Sequence, residues 1–269
     1  MGYIAGIVDK TEADASDKIL RMLQASSKGP ACSFGIGNNR DVENYRDTPK
    51  FTSMTGSKLI GSKNIHIESP EAPSNQGSNT FVFKGILYDS DEPNSLEAAN
   101  LLMEDVSKGL QDLISNRMGA YAVAAVTDSA IIFGHDHVVT IPLYYGENQT
   151  HCAVASNKKM LWAVRMTPVQ LEPGSIIKVS EKGIQKTRIS QPKYRKPRKV
   201  NENSTLDKLD RLFNEVSEAL TRKTRTGAIA FSGGVDSSLI AHYLDQSGLD
   251  PLLITTGLEG QLELDVAEK

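Results

Sequence analysis

Between Ala228 and Leu244 the chain reads AIAFSGGVDSSLIAHYL, and no other stretch limits the fold as tightly. Ala228 to Phe231 is a short apolar run, the pattern of a buried parallel strand. Leu239, Ile240, Tyr243 and Leu244 then recur at helical spacing. A strand that runs through two glycines straight into a helix leaves several backbone N–H groups without partners and aimed at one point. Phosphate is drawn to such a point, because the helix end adds positive charge and glycine lets an anion approach the backbone. Ser232, Ser237 and Ser238 add hydroxyl donors. Asp236 would repel phosphate unless a cation lay between them, which makes it the expected Mg²⁺ ligand. Helix capping explains any one of these residues. All seven in order, between strand and helix, point to a phosphate site. The loop has no lysine and lacks the Gly-x-x-x-x-Gly-Lys-Ser/Thr pattern, so it is not that type of nucleoside triphosphatase.

With 269 residues there is room for two domains, each expected to bury its own core. A charged fraction of 23% and a net charge of −3 give no reason to expect nucleic acid as partner. Only Cys32 and Cys152 occur, too few for a disulfide framework, so a reducing cytoplasm is the expected compartment. The opening MGYIAGIVDK lacks a basic lead-in and reads as a strand, not a signal peptide. Gly6 stands where an N-myristoylation signal needs Ser or Thr, and no apolar stretch is long enough for a transmembrane span.

Tyr3 to Val8 is predicted as a buried strand. A helix follows, with Ile19, Leu20, Met22 and Leu23 on its apolar stripe. Residues 31–90 read as short strands, clearest over Asn79 to Asp89. Pro93 to Gly109 reads as one helix. Strands are expected at Gly119 to Thr127, Ala130 to Gly134, Pro142 to Tyr145, Cys152 to Ala155, Gln170 to Leu171 and Ser175 to Ser180. The stretch 191–203 is polar and basic with two prolines, and marks a linker between domains 1–190 and 204–269. After it come an amphipathic helix over Thr205 to Arg222, the phosphate loop with its helix, a strand at Pro251 to Thr256, and a helix from Leu262. Strand, helix, strand, helix is the start of an α/β doubly wound parallel sheet, which binds its ligand at the carboxyl ends of the strands.

Ser232 to Ser238 resembles the pyrophosphate loop of the N-type ATP pyrophosphatases. The order of parts ahead of it resembles the glutamine-dependent asparagine synthetases. Tyr3 to Ile7, Lys28-Gly29-Pro30, Phe83 to Asp89, Met118 to Ala122, His135-Asp136, Ile141 to Tyr145, Ala155 to Lys159 and Leu171 to Gly174 carry that resemblance. It implies an α+β N-terminal domain, an αββα sandwich of the N-terminal-nucleophile-hydrolase kind, followed by an ATP pyrophosphatase domain. In that family a cysteine at the second position is the glutaminase nucleophile, and an Asn-Gly pair builds the oxyanion hole. Here those places hold Gly2 and Lys84-Gly85, and no counterpart of the glutamine-binding arginine is evident, so the glutaminase is expected to be inactive. Cys32 and Cys152 are expected to be core residues and not substitute nucleophiles. His135 and His137 are read as alternating on a strand and, with His151, are assigned no zinc.

The resemblance implies an ATP-dependent, AMP-forming carbon–nitrogen ligase with ATP and Mg²⁺ as cofactors. Ser232, Gly233, Gly234, Ser237 and Ser238 would hold the phosphates, and Asp236 the metal. Phe231, Thr256 and Gly257 would flank the nucleotide, with Ser232 and Asp236 the residues closest to the chemistry. Asp265 resembles a family aspartate or is a helix-surface carboxylate. The expected partners are a small carboxylate, aspartate first, and ammonia or an amine. A homodimer is allowed, and neither nucleic acid nor membrane is expected. Two other readings stay open: a β-lactam-synthetase-like intramolecular ligase, and a non-catalytic ATP-binding regulator. The stretch after the linker allows about two strands, fewer than a complete sheet of this kind, so a fragment of a longer protein is expected.

Overall fold

The computed structural model describes residues 2–26, 33–46, 50–64, 73–76, 79–90, 94–190, 201–224, 226–258 and 262–267. Lys28 to Pro30, Cys32 and positions 191–200 of the linker lie outside them, as does the side chain of Asp265. The chain divides into two units, Met1–Lys193 and Tyr194–Lys269.

In the first unit the order is β1 (Gly2–Asp9), α1 (Ser16–Ala25), β2 (Ser33–Gly37), β3 (Val42–Tyr45), β4 (Lys58–Asn64), β5 (Ser74–Gln76), β6 (Asn79–Leu87), α2 (Asn94–Leu102), α3 (Val106–Asn116), β7 (Gly119–Val126) and β8 (Ile131–His135). Then come β9 (Tyr144–Glu147), β10 (His151–Ala155), α4 (Lys158–Ala163), β11 (Val169–Gln170), β12 (Ser175–Ser180) and β13 (Gly183–Arg188). One antiparallel sheet runs β11-β9-β10-β1-β4-β2-β3, and the other runs β13-β12-β8-β7-β6-β5.

Three apolar clusters bind the layers. Ile4 and Val8 of β1 meet Val82, Ala124, Phe133 and Ile177 between the sheets. Ala5 and Ile7, pointing the other way, meet Ile19, Met22 and Leu23 of α1 and Met160 of α4. Behind the second sheet, Phe83, Tyr121 and Val123 pack on Leu102, Leu110 and Leu113. Helix, sheet, sheet, helix is thus the layering of this unit. Gly6 is part of it, since a Cβ there would fall 2.7 Å from Phe133 Cζ.

Several elements depart from the sequence reading. The single helix expected over Pro93 to Gly109 is two, because Asp105 accepts from Lys108 N (3.0 Å) and caps a new helix start. His137 is not on a strand with His135. β8 ends at His135, and Asp136 closes a turn by accepting from the N–H groups of Val138 (3.0 Å) and Thr140 (3.1 Å). Edge strand β13 carried too few apolar residues to be read, and α4, at six residues, is too short to show a helical period.

The second unit holds α5 (Glu202–Lys223), β14 (Ala228–Ala230), α6 (Val235–Gln246), β15 (Leu252–Ile254) and α7 (Leu262–Ala267). β14 and β15 pair in parallel, Ala228 opposite Leu252 and Ala230 opposite Ile254. Phe213 of α5 stacks on Tyr243 of α6 at 5.1 Å, and the Tyr243 hydroxyl donates to Asp210 (2.8 Å). Leu206, Leu209, Leu212 and Val216 of α5 are exposed, as are Leu252 (65%), Leu253 and Ile254 of β15. Two parallel strands cannot cover the faces that such a sheet ordinarily buries on both sides.

Gly85 tests the first unit's sheet. Its φ is +125°, and an added Cβ would sit 1.9 Å from the Ala120 carbonyl oxygen. Gly85→Ala is expected to destabilise the unit by about 2 kcal/mol or more, read as a lowered thermal midpoint. An unchanged midpoint would contradict this placement.

Candidate functional site

The loop between β14 and α6 is built as a backbone cradle. Phe231 N donates to Ile254 O (2.9 Å) and Thr255 Oγ1 donates to Phe231 O (2.7 Å), so the ends of the two strands meet. Beyond them Thr256 and Gly257 are exposed. Ser232 N donates to Ser237 Oγ (3.3 Å), Gly234 N to Ser232 Oγ (3.3 Å), and Ser237 Oγ to Gly234 O (3.1 Å). The N–H groups of Gly233, Val235, Asp236 and Ser237 make no hydrogen bond among the described residues. These are the orphan donors of a helix start. The Asp236 side chain is exposed beside them and has no partner among the described residues.

The two glycines differ in purpose. Gly233 has φ +69°, and a Cβ on it would lie 2.8 Å from Val266 and 2.9 Å from the Ala267 nitrogen, so its lack of a side chain admits α7. A Cβ on Gly234 would meet only the Ser232 hydroxyl, at 3.3 Å. Gly234 is therefore the position that keeps the backbone open to an incoming ligand.

At the start of β1 the structure brings Gly2 and Lys84 together, and the lysine takes the space. An ideal Cβ on Gly2 would lie 2.7 Å from Lys84 Nζ and 3.0 Å from Lys63 O. Lys84 is only 2% exposed and its ammonium donates to Asn64 Oδ1. Lys63 is buried as well, its Nζ 3.3 Å from Ser26 O and over the Phe34 ring. Buried ammonium groups need such partners to be tolerated. Where the resemblance expects a thiol, there is a fixed amine. The signal was in the sequence, since Lys84 interrupts an apolar strand.

The remaining candidates are structural. Cys152 is fully buried; burial, then Glu147, push its thiol up to about 12, so it is not a thiolate at neutral pH. His135 Nε2 lies 3.0 Å from Glu172 O. His151 Nε2 lies 2.7 Å from Asp9 Oδ2 without hydrogen-bond alignment. Asp9 is held below the usual carboxylate range, since bonds from the Thr11 hydroxyl and N–H outweigh the opposing effect of burial. Among the described residues no three His, Cys, Asp or Glu side chains converge as a metal set, and no helix is long and apolar enough to cross a membrane. Sequence reasoning missed Lys18, Arg21 and Arg165, which share a cavity. Lysine and arginine on a helix surface carry no signal that sets them apart from a solvated face.

No protein-family model matches the chain, and no curated protein matches it in sequence. Among solved structures, glutamine phosphoribosylpyrophosphate amidotransferase from B. subtilis, complexed with ADP and GMP, superposes with TM-score 0.59 at 14% identity. The match covers 98% of this chain and 70% of that one. A structure described as the allosteric regulatory enzyme of purine biosynthesis matches with TM-score 0.53 at 16% identity, over 97% of this chain and 67% of that one. The fold is therefore mixed α/β, like that of the glutamine amidotransferases of the N-terminal-nucleophile type. In that fold Lys84 of β6 packs against Gly2 at the start of β1.

Burial holds the His135 pKa below its ordinary 6.5. The fold therefore binds fewer protons than the unfolded chain as pH falls below about 6.5, and stability is lost in that direction. The urea midpoint of the first unit is expected to fall from about pH 7.5 to about 5.5, and less so in His135→Gln. A slope unaltered in that variant would show that His135 is not responsible.

Proposed function

We propose that the chain is an ATP-dependent amide-forming ligase of the asparagine synthetase type. It adenylates a carboxylate, aspartate first, releases pyrophosphate, and takes ammonia as nitrogen source. The observation that carries this reading is the set of four unpartnered N–H groups at Gly233, Val235, Asp236 and Ser237, with the Asp236 carboxylate exposed beside them. Such a set suits the β and γ phosphates of ATP. The Ser232, Ser237 and Ser238 hydroxyls would turn toward the same oxygens, and Phe231, Thr256 and Gly257 would flank the adenosine.

Asp236 and the Ser232 hydroxyl are hard oxygen donors, the kind Mg²⁺ takes, and Asp236 is free to bind it. When bound, the metal supplies positive charge to the pyrophosphate as it leaves. The protein's own contribution is positional: the backbone cradle fixes the β and γ phosphates so that the α-phosphoryl group faces the acceptor carboxylate. Gly2 offers no nucleophile for glutamine, and Lys84 fills the space beside it, so free ammonia is the donor that needs nothing from the first unit.

A second reading rests on the same loop: a nucleotide-binding regulator that holds ATP without turning it over. Pyrophosphate release from ATP and Mg²⁺ separates the two. The ligase predicts release with aspartate and ammonia, none above background with glutamine alone, and a loss of about a hundredfold or more in Asp236→Ala. ATP binding without release under any acceptor would favour the regulator.

A further inference from the structure

At the end of β1 far from Gly2, about 23 Å away for an eight-residue strand, residues of α1, the β9–β10 turn and the C-terminal side of α4 line a cavity of about 370 Å³. Lys18 and Arg21 of α1 and Arg165 just past α4 contribute positive charge, and Asn148, Thr150 and His151 contribute polar groups. Among the described residues no Asp or Glu lines it.

The cations come from two segments far apart in sequence, Lys18 and Arg21 on α1 and Arg165 just past α4, and converge on one concave space. Lys18 and Arg165 make no ion pair among the described residues. Arg21 pairs with Asp17 at 2.7 Å, but both side chains are largely exposed and such a pair is easily exchanged for a better anion. Arg165 has φ +58° and closes α4 through its N–H to Trp162 O (2.9 Å). Glycine fills that conformation at lower cost, so Arg165 stands there against a local backbone preference.

The polar groups are already oriented. Asn148 Oδ1 accepts from the N–H groups of Thr150 (3.0 Å) and His151 (2.8 Å), while its Nδ2 makes no hydrogen bond among the described residues. The Thr150 hydroxyl is 2.6 Å from His151 Nδ1. His151, 7% exposed, is held on its other side by Asp9 at 2.7 Å. Burial and the Lys18 charge lower the His151 pKa, so the positive charge of the cavity comes from the lysine and the arginines.

We propose that this cavity binds a phosphate-bearing small molecule, with Lys18, Arg21 and Arg165 on the phosphate and the Asn148 Nδ2 group donating to its oxygens. Arginine forks match two phosphate oxygens at once, and three cations suit a dianion better than a single carboxylate. The volume exceeds that of phosphate alone and leaves room for an organic part. The site shares no residue with the 232–238 loop, and the proposal does not rest on that loop.

The test is amide NMR of the full chain titrated with inorganic phosphate and with ribose 5-phosphate, against chloride at matched ionic strength. Saturable shifts are expected at Thr150, His151 and Arg165, stronger for ribose 5-phosphate. Arg165→Gly should weaken them by about tenfold without lowering the thermal midpoint, since glycine suits that backbone. The response at Gly233 to Ser238 should stay the same in this variant. Shifts confined to Gly233 to Ser238, shifts that chloride reproduces, or an unchanged affinity in Arg165→Gly would each overturn the proposal.

Discussion

Strand β1 is the constraint on which the first unit depends. It is hydrogen-bonded on both sides, to β10 through Ala5 to Asp9 and to β4 through Gly2 to Val8. Its alternate side chains enter two different cores, Ile4 and Val8 between the sheets and Ala5 and Ile7 under the helices. A slip of one residue would exchange those faces, so the register is fixed by burial as well as by pairing. Both notable places in this unit hang on that strand. Its first residue, Gly2, is packed against Lys84, and its last, Asp9, supports His151.

A fold can outlast a reaction when the residues that hold the fold are not those that did the chemistry. Here the layers need Phe133 on Gly6, Leu113 on the second sheet and Met160 on the first, and none of these requires a nucleophile at position 2. The ammonium of Lys84 instead finds Asn64 in the place a side chain on Gly2 would occupy. The 232–238 loop presents the opposite case, with local geometry kept open and little core around it. Gly234, Val235 and Asp236 remain exposed.

Much of this was legible in the residues. The buried strand at Tyr3 to Val8, the apolar stripe of α1 and the strand-loop-helix at Ala228 to Leu244 follow from periodicity and glycine placement, which are local properties. What stayed hidden depended on partners. The polar edge strand β13 is a strand only because β12 pairs with it, and α4 is held by its Asn157 cap over too few residues to show a period. The role of Gly233 in admitting α7 could not be separated from that of Gly234 until both environments were known. Lys84 was visible as a lysine in an apolar strand, but its meeting with Gly2 across two sheets was not.

The central claim, that chemistry has left the first strand of the amidotransferase-like unit and resides with ATP at the second unit's loop, is tested most directly by the origin of the product nitrogen. ¹⁵N-ammonium and unlabelled glutamine would be supplied together with ATP, Mg²⁺ and aspartate, and the amide product weighed by mass spectrometry. Incorporation of ¹⁵N alone is the predicted result. Unlabelled nitrogen from glutamine in the product would mean that the first unit still delivers ammonia, and the account of Gly2 and Lys84 would be wrong.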